Sequence, residues 1–140
     1  LVIQTLDHFN YSCSIEIMNK ENAVTIFESL ASGIRLDIYR LLVKAGLEGR
    51  VAGDLAQELN LAPNKLSFHL KAMTHAGLTT VEQEGRYQRY RANIPVVLDV
   101  IAYLTEECCG GHPEDCASLR SASTCSPAVL PSLPTLKDPQ

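Results

Sequence analysis

RVAGDLAQELNLAPNKLSFHLKAMTHAGLTTVEQEGRYQRYR, from Arg50 to Arg91, decides how the chain is read. Gly49-Arg50-Val51 makes a brief extended link, and Ala52 to Leu59 predicts a short helix with Leu55, Ala56 and Leu59 inward. Asn60-Leu61 is a turn. Pro63 suits the first position of a second helix, where its missing N–H is harmless. That helix runs to His75, and Gly77 is placed to end it in a left-handed cap. Leu78–Glu82 and Tyr87–Arg91 are strand-like, with Glu84-Gly85-Arg86 as the turn between them. Helix, turn, helix and hairpin in that order predict a winged helix-turn-helix, a mainly α (α+β) fold whose second helix enters the major groove of DNA.

At 100° per residue the second helix has two distinct faces. Leu66, Leu70 and Met73 lie within about 60° of one another and point to the core. Asn64, Phe68, Lys71 and His75 lie opposite, flanked by Lys65 and Ser67. An outward amide can read adenine and an outward apolar ring can meet a thymine methyl. A merely solvated face explains the Lys and Asn but explains Phe68 poorly. In the hairpin, Arg86 at the tip and Arg89 are expected to contact phosphate by charge, and Arg91 to pair with an acidic neighbour near the hairpin base. The expected DNA-contacting set is Pro63, Asn64, Lys65, Ser67, Phe68, Lys71, Arg86 and Arg89.

Outside this stretch, a first helix capped by Asn19 covers Lys20–Ala31, with Ala23, Ile26, Phe27 and Leu30 at i, i+3, i+4, i+7 spacing. A second covers Ile34–Lys44 with Ile34, Ile38, Leu41 and Leu42 on one face, stopped by Gly46. After the hairpin, Pro95 opens a last helix to about Glu107, where Val96, Val97, Val100, Ile101 and Leu104 form a wide apolar stripe. A further apolar helix at the end of a domain that already has a core points to a homodimer through the first and last helices. The domain therefore spans 19–107. Residues 1–18 form an amino-terminal extension, Met18 being a candidate natural start; 108–116 are a cysteine segment; and 117–140, with four prolines and five serines, are expected to be a disordered tail.

The net charge of −4 is unevenly distributed. Residues 62–91 hold five basic groups against two acidic ones, while the flanking regions are both acidic. The basic segment is the one expected to meet phosphate. No run approaches the ~18 apolar residues needed to cross a bilayer. The first residues lack a basic n-region, so a secretory signal is not expected. Five cysteines, none in the regular part of the domain, do not make a disulfide framework and suggest a reducing cytoplasm. With no cofactor loop and no general base beside the thiols, an enzyme is not expected.

Asp54 to Leu78, with its Leu66-Ser67-Phe68-His69-Leu70 before Ala76-Gly77-Leu78, and the EGRYQRYR wing resemble the ArsR/SmtB family of metal- and metalloid-responsive repressors. The resemblance covers roughly Asn19 to Cys116. It implies a homodimeric repressor that leaves an inverted-repeat operator when an inducer binds, with Pro63, Asn64, Ser67 and Phe68 at the family's groove-facing positions. His69 is a family feature that its angle on the helix places nearer the core.

Two of the family's sensor sites are missing. Val51 to Ala56 holds no thiol where one type of arsenic sensor has several. The zinc pattern on the last helix keeps Asp99 and His112 but has Ile101 and Asp115 in place of two ligands. What remains is Cys108-Cys109-Gly110-Gly111-His112-Pro113-Glu114-Asp115-Cys116, which resembles the carboxy-terminal cysteine motif of an arsenite-responsive subgroup. Soft thiolates select thiophilic ions. Cys108, Cys109 and Cys116 would supply the three sulfurs As(III) prefers, with Sb(III) as a possible second inducer. Zn(II) or Cd(II) with His112 as fourth ligand, a dithiol redox switch and three incidental cysteines are the alternatives. Cys13 and Cys125 are assigned no role.

Overall fold

The structure, a computed structural model, describes residues 18–106 and 108–124. It forms two compact units, one reaching Leu104 and the other beginning at Thr105. In the first, Lys20–Leu30 (α1) and Gly33–Ala45 (α2) lead through a 3₁₀ turn, Gly46–Glu48, into Arg50–Val51 (β1). Ala52–Glu58 (α3) and Pro63–His75 (α4) follow, then Thr79–Glu84 (β2), Tyr87–Ala92 (β3) and Ile94–Thr105 (α5). The three strands make one antiparallel sheet in the order β1-β3-β2. This is the helices-plus-wing architecture read from the sequence, a mainly helical winged helix-turn-helix. The link at Arg50–Val51 is in fact a third strand, pairing Arg50 with Tyr90 and Val51 with Arg89.

Local chemistry sets most of these boundaries. Asn19 caps α1, its Oδ1 accepting from Asn22 N–H at 2.8 Å, and Ser32 caps α2 through Arg35 N–H. Both ends of the helix-turn-helix close in the same way. After α3, Asn60 takes a left-handed φ of +51° while Asn60 N–H reaches Gln57 O and Leu61 N–H reaches Ala56 O. After α4, Gly77 at φ +79° repeats the pattern, Gly77 N–H to Thr74 O and Leu78 N–H to Met73 O. These are paired Schellman closures, with the two residue types best able to occupy the left-handed position.

Ile38, Leu42, Leu55, Leu66, Leu70, Met73 and Leu78 are fully buried and form one cluster with Ile26, Tyr39, Tyr90 and Val100. Each such side chain contributes about 1.5–3 kcal/mol by leaving water. The first and last helices both leave apolar side chains exposed. Phe27, on the apolar spacing of α1, is 44% exposed beside Val24, while Ala23, Ile26 and Ser29 are the buried residues of this helix and Leu30 packs at the edge of the core. On α5 only Val100 is buried, while Leu98, Ile101 and Leu104 face outward.

In the second unit, Cys108–Gly111 form a 3₁₀ turn and Pro113–Ser121 a helix, α6. The sequence reading divided this region into a cysteine segment and a disordered tail; α6 crosses that division and orders residues 117–121. Pro113 starts the helix and Glu114 and Asp115 favour its positive end. The expected extension at 1–17, including Cys13, and the tail at 125–140, including Cys125, lie outside the described residues; Met18 packs against the core. Among the described residues, no helix is long and apolar enough to cross a membrane.

Gly49 is the tightest point of the fold. It holds φ +63° and ψ −165°, and a Cβ there would stand 2.3 Å from the Tyr90 carbonyl oxygen and 2.7 Å from Arg91 Cγ. Gly49→Ala should therefore cost about 2–4 kcal/mol of stability. Urea unfolding checks this, and an unchanged midpoint would contradict the close approach of this segment to β3.

Candidate nucleic-acid interface

The candidate interface is built on α4. Leu66, Leu70 and Met73 fix its rotation by burial, so the remaining side chains have no choice of direction. Pro63, Asn64, Lys65, Ser67, Phe68, Lys71 and His75 are all exposed. Phe68 is 68% exposed, which no packing role explains. Asn64 Oδ1 accepts from the Lys65 N–H at 2.9 Å, and its amide donors project from the first turn. The helix carries no acidic residue, so its outward face offers cations, an amide, a hydroxyl and a ring.

His69 lies on the flank, buried as its angle implied, with its ring edge-on to Phe68 at 5.5 Å between centroids. Burial pushes its pKa below the ordinary value, and the nearby positive charges of Arg35 and Lys65 push the same way. Its Nδ1 finds no hydrogen-bond partner among the described residues. Neutral His69 is thus part of the packing that supports the outward face.

The far end of α4 is tied to the wing. Thr74 Oγ1 lies 2.9 Å from Thr79 Oγ1. Asn93 donates its side-chain amide to Gly77 O and its backbone N–H to Leu78 O, each at 2.8 Å. Arg86 sits at the wing tip beside Gly85, whose φ of +57° at the first residue of a two-residue loop is a type II′ pattern. Arg86 is exposed and makes no ion pair among the described residues.

Arg89, expected to meet phosphate by charge, has two partners within the chain. Its Nε donates to Glu84 Oε2 at 2.6 Å and its Nη1 to Glu48 O at 3.2 Å. Arg91 pairs with Glu82 at 2.8 Å near the hairpin base, as the sequence suggested, and donates Nε to Leu47 O at 2.8 Å. Glu82 and Glu84 alternate in VEQE on the face that carries Arg89 and Arg91, and that alternation was the available signal, since diagonal cross-strand neighbours lie within reach of long side chains.

In the cysteine segment, Cys109 and Gly110 both take left-handed conformations, at φ +63° and +60°. His112 N–H returns to Cys109 O at 3.1 Å, and His112 Nδ1 lies 3.2 Å from Glu114 Oε1. Cys109 is half-buried. The side chains of Cys108 and Cys116 lie outside the described set, and among the described residues no three His, Cys, Asp or Glu groups gather as a metal site.

A helix-turn-helix domain family model matches residues 30–82. The chain carries a winged helix-turn-helix domain. A stretch of 47 residues, 32% of this chain, is 43% identical to YdfF, an uncharacterized HTH-type transcriptional regulator of Bacillus subtilis, and spans 21% of that relative. An ArsR-like transcriptional regulator from Rhodococcus sp. RHA1 superposes with a TM-score of 0.55 at 23% identity, over 74% of this chain and 93% of that one. A homodimeric winged helix-turn-helix DNA-binding domain from Mycobacterium bovis, a possible ArsR-family regulator, gives 0.52 at 24% identity, over 66% and 85%. At these identities the two structures show the fold alone.

The lowered pKa of His69 makes a signed prediction. The unfolded chain takes up this proton near pH 6.5 while the folded chain resists it, so the stability is complete above that pH and is lost as pH falls. His69→Gln should flatten the fall in stability between about pH 7.5 and 5. Urea unfolding at a series of pH values measures it, and parallel profiles for both proteins would contradict the packing assigned to the neutral ring.

Proposed function

We propose that the chain is a homodimeric transcriptional repressor that binds an inverted-repeat operator through α4 and leaves it on binding As(III), with Sb(III) as a second inducer. The observation that carries the DNA-binding half is an exposed Phe68 among Asn64, Lys65, Ser67 and Lys71 on a helix locked from behind by its own core. Pro63 and Arg86 complete the contacts. Lysines and Arg86 would meet phosphate, while Asn64 and Phe68 would meet base edges.

The dimer is supported by apolar surface that this chain leaves open on two helices, Val24 and Phe27 on α1 and Leu98, Ile101 and Leu104 on α5. Two-fold pairing would set the two copies of α4 about one DNA turn apart. The similar Mycobacterium bovis domain is itself homodimeric.

Cys108, Cys109 and Cys116 would hold the inducer. Three thiols suit a three-coordinate thiophilic ion, and the left-handed pair at Cys109-Gly110 turns the chain within the motif. The thiols must ionise to coordinate, so capture would release protons. The segment directly follows α5 in sequence, and a coupling of 1–3 kcal/mol is enough to change operator affinity about 5–150-fold. The His112–Glu114 contact supports a second reading. A carboxylate on one ring nitrogen orients the other toward a metal, which suits Zn(II) or Cd(II).

Two measurements test the proposal. Phe68→Ala should weaken operator binding about tenfold with little effect on arbitrary DNA; an equal loss on both would place the ring outside base recognition. For the sensor, anisotropy of a labelled operator is followed against As(III), Sb(III), Zn(II), Cd(II) and peroxide. Cys109→Ser should bind DNA normally and fail to release with arsenite. Release at the parental arsenite concentration would exclude these thiols.

A further inference from the structure

The wing carries three arginines, and the structure treats them unequally. Arg86 is exposed at the tip. Arg89 and Arg91 are each held from two sides, by a carboxylate on β2 and by a backbone carbonyl of the Gly46–Glu48 turn. Their side chains are only 28% and 31% exposed. The register explains the geometry. Thr80 faces Arg91, Glu82 faces Arg89 and Glu84 faces Tyr87, so both acids and both arginines project from one face of the hairpin. Each arginine reaches its acid diagonally, Arg89 toward the tip and Arg91 toward the side chain nearer the tip as well.

We propose that Glu82 and Glu84 are affinity-limiting residues that withhold Arg91 and Arg89 from DNA phosphate, so that the wing meets the backbone through Arg86 alone. The proposal rests on the DNA-binding reading above and goes beyond it. Each guanidinium must break a carboxylate contact and a carbonyl contact before it can turn outward. The carboxylates also set two negative charges on the hairpin, which weakens attraction to any duplex regardless of sequence. Partly exposed ion pairs are individually weak. Neutralising one acid is therefore enough to shift its arginine toward a competing phosphate. Holding down the sequence-independent part of binding leaves discrimination to the base-facing side chains of α4. The same ties make Arg89 and Arg91 positioning residues, fastening the wing to the turn that precedes β1.

The test is binding of the full chain to an arbitrary-sequence duplex, by anisotropy, over a series of salt concentrations. Glu84→Gln should tighten binding about fivefold at low salt and steepen the plot of log K against log[salt] by about 0.9, one added phosphate contact. Placed on an Arg89→Ala background, Glu84→Gln should leave the slope where Arg89→Ala alone has it. Glu82→Gln should act in the same way through Arg91, and serves if Glu84→Gln does not fold by circular dichroism. An unchanged slope in the folded Glu84→Gln protein, or an equal slope change with and without Arg89, would overturn the proposal while leaving the DNA-binding reading intact. Failure of the unaltered chain to bind any duplex would overturn both.

Discussion

Everything in the domain depends on how α4 is rotated, and that rotation is set by the burial of Leu66, Leu70 and Met73 against Ile38, Leu42, Leu55 and Leu78. Turning the helix by one residue position would bring Phe68 or Ser67 toward the core and expose a leucine, at a cost of several kcal/mol. The outward set is thus a consequence of the inward one. Two Schellman closures end the helices of the pair, on Asn60 after α3 and on Gly77 after α4, and so aim the chain into and out of α4.

The wing is positioned by strand pairing and polar ties as well as by Tyr90, which joins the core. β1 pairs with β3, Gly49 allows the preceding turn to lie against Tyr90, and the carbonyls of Leu47 and Glu48 take guanidinium donors from β3. Asn93 then joins the hairpin exit to the end of α4. A hairpin held this way is fixed relative to the helix beside it, which is what two elements gripping one duplex require.

Much of this was legible in the residues. The 3.6-residue spacing on α4 separated Leu66, Leu70 and Met73 from Asn64, Phe68 and Lys71, and the structure keeps that division. Asn19, Gly46 and Gly77 marked helix ends because their chemistry is local. The apolar spacing of α1 was legible too, but periodicity does not say how much of such a face one chain covers, and Phe27 is exposed. β1 was too short to announce itself; two residues become a strand only because β3 offers them partners. α6 lacks an apolar stripe, so its only signals were Pro113 and the acidic pair after it, which the cysteines around them obscured. Arg89 was expected to meet phosphate by charge, and charge content alone does not show that Glu84 stands diagonally across the hairpin from it.

The proposed DNA-binding surface joins the outward face of α4 to the tip of the wing. The most direct measurement follows backbone amide shifts of the isotope-labelled chain as duplex DNA is added. Changes concentrated in residues 63–75 and at Gly85 and Arg86, with α2 nearly still, are the predicted result. The largest changes on α2 or α6, with residues 63–75 unmoved, would contradict it.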